Sequence, residues 1–152
     1  MVKFHMTSKD DITLLMQSRL EMLREVNNLP SDYIFDNEFV EKSRDYFQGA
    51  NQTTVLAIDK NVIGCATLCY VDMMPTFSHP TGKRAHLMNV YTNRLYRRQG
   101  VASQMLIMLI DEAKKKGVTE ISLDATESGR PLYKKLGFAE SAECMVLNFR
   151  NK

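Results

Sequence analysis

No apolar run in the 152 residues approaches the ~20 needed to cross a bilayer as a helix. The opening MVKFHMTSKD also lacks the basic-then-apolar pattern of an export signal, so a cytoplasmic protein without a membrane partner is expected. Cysteine is scarce: Cys65, Cys69 and Cys144 cannot all pair with one another, and a disulfide framework is not expected. The run GCATLCY around the first two is apolar and strand-like, and no second pair or histidine follows at ligand spacing. These residues read as core thiols, and no metal site is expected. Neither G-x-x-x-x-G-K-[ST] nor G-x-G-x-x-G occurs, which disfavours ATP and NAD sites. Repeats, low-complexity stretches and linkers are absent too, and the longest loop candidate is 75–84. At 17.4 kDa the expectation is one continuous domain over residues 1–152.

What the chain does contain is ordinary globular material, 44% hydrophobic and 25% charged, which excludes a disordered tail, a collagen-like fibre and a coiled rod. The net charge of +2 conceals an uneven distribution. Residues 1–79 carry 7 basic against 11 acidic side chains (−4), residues 80–135 carry 11 against 5 (+6), and residues 136–152 carry 2 against 2. A positive middle block suits an anionic ligand, and an acidic leading block suits a cationic one.

Periodicity gives the order β-α-α-β-β-β-α-β-α-β. A short alternating strand at 2–6 precedes a helix over about 8–27, with a polar N-cap at Thr7 or Ser8. A second helix follows at 37–48. Strands at 53–59 and 62–73 stand at hairpin distance across Lys60 and Asn61. A strand at 84–93 leads into an apolar helix from Gln99 to Lys116, stopped by Gly117. A strand at 120–126, a short helix at 130–137 with Pro131 near its start, and a closing strand at 142–149 complete the pattern. The fold class expected is α/β, a mixed, mostly antiparallel central sheet flanked by helices, with one β-α-β crossover over 84–126. In open sheets of this kind ligands collect at the carboxyl ends of parallel strands.

The chemistry is concentrated in RLYRRQGVASQ at 94–104. Gly100 allows close approach of a backbone to a ligand, Ala102 keeps the next turn small, and the first amides of the following helix have no intrahelical acceptor. With Arg94, Arg97 and Arg98 beside a helix N-terminus, a diphosphate is the natural guest. The plain structural alternative is an exposed strand-to-helix loop whose arginines confer solubility.

At these residues the chain resembles the GNAT superfamily of acyl-CoA-dependent N-acyltransferases. RRQGVA at 97–102 matches the [RQ]-x-x-G-x-[GA] loop, PLYKKLGF at 131–138 is similar to the family's ending, and the similarity extends over about 84–140. The resemblance implies that Arg97, Arg98, Gln99, Gly100, Val101, Ala102 and Ser103 hold the diphosphate of coenzyme A. It further implies that Asn89, Val90, Tyr91 and Thr92 lie on a splayed strand along the pantetheine arm. Thr126 falls where many members carry an asparagine near that arm, and Tyr133 matches the tyrosine near the departing sulfur.

The activity so implied is transfer of an acetyl group from acetyl-CoA, the co-substrate, to a primary amine by direct attack in a ternary complex, with no acyl-enzyme. A strand amide near Val90 to Thr92 would stabilise the oxyanion, and Tyr133 would act as general acid towards the leaving thiolate. The only ordinary base on the strand is His86, which alternation places with Thr92 on one face and Asn89 on the other; a water chain is the alternative. Glu38, Glu41, Asp72 and Asp36 are candidates for binding a cationic acceptor. A homodimer agrees with family habit. Two competing readings are an acyl-CoA sensor without turnover, prompted by the missing strand glutamate, and a nucleic-acid module built on Arg94 to Arg98 with Tyr91 and Tyr96. Modest net charge and the lack of an RNA-recognition signature count against the last, so no nucleic-acid partner is expected.

Overall fold

The computed structural model describes residues 1–150. Its elements run β1 (Lys3–Met6), α1 (Ile12–Val26), α2 (Asn37–Gln48), β2 (Gln52–Asp59), β3 (Asn61–Asp72), β4 (Lys83–Thr92), α3 (Val101–Lys115), β5 (Glu120–Leu123) and α4 (Arg130–Lys135), with 3-10 turns at Lys9–Asp11 and Arg94–Tyr96. The five strands lie in sequence order; β1 to β4 are antiparallel neighbours and β5 joins β4 in parallel. This is the mixed α/β sheet the patterning predicts.

Val55, Leu56 and Ala57 are all buried, because helices cover both faces of the sheet. Val55 and Ala57 join Ala66, Leu68, Ala85 and Leu87 beneath Met105, Leu106, Leu109 and Ala113 of α3. Leu56 and Cys65 point the other way, onto Leu15 and Met16 of α1 and Phe47 of α2. Each fully buried large apolar side chain contributes about 1.5–3 kcal/mol, so α3, whose five core residues, Val101 included, are at most 5% exposed, is the main clamp on its side.

The first helix begins later than its pattern suggests. Ser8 and Asp11 form a reciprocal capping box around the 3-10 turn, and the α-helix proper starts at Ile12. That amide bond from Ser8, together with His5 at 3.0 Å, holds the Asp11 carboxyl below its usual range. Asp36 caps α2, its carboxylate accepting from the amides of Glu38 and Phe39.

One expected element is not formed. The run 142–149 pairs with no strand, and Met145, Val146, Leu147 and Phe149 stand 79–94% exposed. The alternating pattern is there, but a strand needs a ladder partner, and no backbone bond from this run to the sheet forms. Among the described residues no helix is long and apolar enough to cross a membrane.

Candidate active site

β4 and β5 are paired only from Arg84 to Leu87, opposite Glu120 to Leu123. β5 then ends while β4 runs on to Thr92, so Met88 to Thr92 present one backbone edge with no partner strand among the described residues. The same stretch is bulged. Between the pairs Thr67–Met88 and Cys65–Tyr91, β3 advances two residues and β4 three. The extra residue is absorbed at Asn89, whose φ of +62° lies in the left-handed region.

The bulge changes which side chains share a face. Cys69, the cross-strand partner of His86, lines a cavity on the α1/α2 side together with both Met88 and Asn89, whereas Val90 packs on the α3 side. Strict alternation had set His86 and Asn89 on opposite faces; with one residue inserted they share one, and Thr92, two residues beyond Val90, falls on the other.

Asn89 is fixed by a chain of hydrogen bonds. Arg19 of α1 donates from Nη1 to Asn89 Oδ1 at 2.8 Å, and Asn89 Nδ2 donates to Thr67 Oγ1 at 3.1 Å. Thr67 is in contact with Thr54 at 2.7 Å, Thr54 donates to Gln52, and Gln52 donates to the Phe47 carbonyl. The Asn89 carbonyl accepts from the Cys65 thiol at 3.2 Å. Burial pushes that thiol up to about 12, so it stays protonated at neutral pH and is no nucleophile. The Asn89 side chain is therefore committed to the protein, and only its backbone faces the open edge.

The cavity beside the bulge has a volume of about 250 Å³ and is lined by Arg19, Phe39, Lys42, Ser43, Tyr46, Phe47, Thr67, Cys69, Met88 and Asn89. Tyr46 donates to the Asn51 carbonyl, and burial raises its pKa. A smaller cavity of about 130 Å³ lies on the same side towards the end of β4, where Glu21, Glu25, Tyr91 and Asn93 meet. Burial and the neighbouring Glu25 push the Tyr91 phenol up to about 12.

At the other end of the open edge α3 begins without a side-chain cap. Gly100 has φ +80° and Arg98 φ +61°, so the turn curls its amides inward as a nest. Those of Val101, Ala102 and Ser103 have no intrahelical acceptor and no side chain that supplies one. A Cβ built on Gly100 meets nothing within 4 Å, so the space over the turn is open. This is a cradle fit for an oxyanion. The Arg97 side chain is turned elsewhere: Nε donates to the Thr92 carbonyl, Nη2 lies 4.0 Å from Glu25, and the guanidinium covers Tyr91. Gln99 bonds to the Leu95 carbonyl. Arg98 and Gln99 are exposed, Val101 is buried, and Thr92 keeps a buried hydroxyl without a partner.

Tyr133 of α4 packs on the α3 side of the sheet, edge-on to Phe138 at 5.9 Å. Its ring lies against Gly129, where an added Cβ would come within 3.1 Å of it. Burial raises the pKa of this phenol, and its hydroxyl bonds to no group among the described residues. Thr126 accepts the Gly129 amide at 3.2 Å and so helps to start α4. His86 is bound across to the β5 edge, Nδ1 at 2.7 Å from Ser122 Oγ and Nε2 at 3.6 Å from Asp124. Nδ1 is engaged by Ser122, Nε2 lies beyond hydrogen-bond distance of Asp124, and His86 does not line the cavity. The acids expected near an acceptor are also elsewhere: Asp36 caps α2, Glu38 pairs with Lys42 at 3.0 Å, and Glu41 faces Arg44.

Sequence reasoning missed Arg19. Its signal was present: Leu15, Arg19 and Met22 are spaced four and three residues apart, which puts a cation on the buried stripe of α1.

The site thus lies in an open α/β sheet splayed between two parallel strands, with an uncapped helix start at its mouth. Residues 18–138 match the sequence model of the Acetyltransferase (GNAT) family, and the chain belongs to that family. A predicted acetyltransferase from Clostridium acetobutylicum, solved with acetyl-CoA, superposes with TM-score 0.82 at 29% identity over 97% of this chain and 96% of that one. An aminoglycoside acetyltransferase from an uncultured soil metagenomic sample shares the fold (TM-score 0.78, 13% identity, 99% and 97% covered). A glucosamine 6-phosphate N-acetyltransferase from Trypanosoma brucei brucei is 29% identical over 87 residues, 57% of this chain and 57% of that relative, so the match spans little more than half of it.

Proposed function

We propose that the chain transfers an acetyl group from acetyl-CoA to the nitrogen of a primary amine by direct attack in a ternary complex. The observation that carries this reading is the unpaired edge of β4 beyond Leu87, with the open cradle of α3 at one end and the Arg19 cavity beside it. The diphosphate rests on the amides from Arg98 to Ser103, that of Arg97 being donated to the Arg94 carbonyl, and the pantetheine arm runs along Asn89 to Thr92 as an added strand. An amide at the bulge meets the oxyanion. The amine lone pair forms the C–N bond, the C–S bond breaks, and the thiolate takes its proton from Tyr133, a phenol kept protonated by burial and bonded to no group among the described residues; the proton then shed by the attacking nitrogen restores the phenol through water. The ammonium loses its proton to water in the open cavity, because His86 does not line that cavity. Relatives named for amino sugars and aminoglycosides agree with an amine acceptor.

Tyr133→Phe tests the assignment. Removing a positioned general acid costs about 10²-fold or more in rate, so thiol release over an amine panel should lose about two orders of magnitude in kcat. Calorimetry should give an acetyl-CoA affinity within about twofold of the parent. Unchanged turnover would remove Tyr133 from the chemistry. The second reading, an acyl-CoA sensor, is favoured by the lack of a β4 base lining the cavity; 1:1 acetyl-CoA binding with no thiol release from any amine would establish it.

A further inference from the structure

The cavity beside the bulge contains one cation that the fold leaves without a counter-charge. Arg19 is half-buried, gives one hydrogen bond to a neutral amide oxygen, and has no carboxylate within 4.0 Å among the described residues. Its surroundings are Phe39, Phe47, Tyr46 and Met88, and burial in them is what pulls its pKa down. A guanidinium has five donors in a planar fork, and taking it out of water without an anion is costly. Lys42, also at the wall, is already paired with Glu38. No acid lines this cavity; the acids of α1, Glu21 and Glu25, gather in the other one. The leading half of the chain is acidic in sum, yet the volume it encloses next to β4 is cationic.

We propose that this cavity binds the acceptor through an anionic group held by Arg19, so that the substrate is a small amine bearing a carboxylate or a phosphate. The inference rests on the acetyl-transfer reading and names its substrate class. Arg19 also bonds Asn89, so the anion is held beside the residue that bends β4, and the amine of the same molecule is directed to the edge where β4 leaves β5. A volume of about 250 Å³ suits a metabolite of amino-acid or amino-phosphate size rather than a protein lysine on its own backbone. The apolar walls accept a short hydrocarbon portion. A polyamine, or any acceptor with a second cationic centre, would set like charge against Arg19.

Matched acceptors decide the matter. Thiol release with acetyl-CoA is measured for an amino acid against its amide, for a phosphorylated amino alcohol against the free alcohol, and for a diamine. The anionic member of at least one pair is expected to exceed its neutral partner by tenfold or more in kcat/KM, and the carboxylate and phosphate arms tell which anion is used. Arg19→Gln should abolish that preference through KM for the acceptor, with KM for acetyl-CoA unchanged, and Arg19→Lys should restore part of it. Equal or better turnover of neutral or diamine acceptors would overturn the proposal, as would an Arg19→Gln loss that is the same for every acceptor. If no amine is turned over, the acetyl-transfer reading fails. Calorimetry of the same pairs on the acetyl-CoA-loaded protein then decides the anion site: tighter binding of the anionic member, lost in Arg19→Gln, upholds it, and no such difference refutes it.

Discussion

Asn89 holds a left-handed φ inside a strand while its side chain spans α1 and β3, so two different demands meet at one position. Glycine would accept the φ but make neither bond; alanine would do neither. Losing the bonds to Arg19 and Thr67 costs about 1–3 kcal/mol, whereas asparagine and alanine both carry a Cβ at this φ and only glycine is relieved of it. Asn89→Ala is therefore expected to lower unfolding free energy by about 1–3 kcal/mol, with Asn89→Gly milder by about 1 kcal/mol, both read from urea denaturation. Equal losses would mean that φ costs nothing here. At this scale the sequence was partly legible. Arg19 was missed although it stands on an apolar stripe, and the face of Asn89 did not follow from alternation, because a one-residue bulge reverses it and nothing in LMNVYTN marks its place.

Helix boundaries followed from chemistry the sequence displays. Asp36 satisfies amides where α2 starts, whereas Ser8 with Asp11 opens a 3-10 turn and α1 begins only at Ile12. α3 differs in having Gly100 at its N-cap, which reads as weakness until the role of uncapped amides is considered. The same position separates fold from binding. A Cβ at Gly100 touches nothing in the protein, so Gly100→Ala should cost only the conformational term of about 1–2 kcal/mol. In the bound state, however, that methyl enters the space over the cradle, and acetyl-CoA affinity should fall tenfold or more by calorimetry. A stability loss with unaltered affinity would place the diphosphate elsewhere. The closing strand at 142–149 shows the opposite case. Alternation specifies which residues share a face, not which edge receives them, and Met145 to Phe149 find none in this sheet.

Over the whole molecule the +6 block of residues 80–135 is less concentrated than it looks in sequence. Arg84 pairs with Glu120, Lys115 with Asp111, Lys116 with Glu112, and both Arg130 and Lys134 with Glu140. Such exposed pairs contribute little to stability, and all but those to Glu140 use acids already counted in the +6, so the block keeps a net positive charge. Arg94 and Arg98, flanking the cradle, have no ion-pair partner among the described residues. Both therefore add unpaired positive charge at the site where a diphosphate is proposed. A ligand bound only by the folded state at about 100 times its Kd adds about 2.7 kcal/mol, which for a chain of this size is a rise of about 5–10 °C in Tm. Acetyl-CoA should produce that rise, and the rise should shrink as salt increases from about 0.05 to 0.5 M, because exposed charges are screened over a few ångströms at the upper limit. Acetyl-pantetheine, which carries the thioester without the diphosphate, should raise Tm by no more than about 1 °C at the same concentration, since the strand edge alone must then hold it. If the two ligands stabilise equally, the anchoring energy lies along β4 and not at the start of α3.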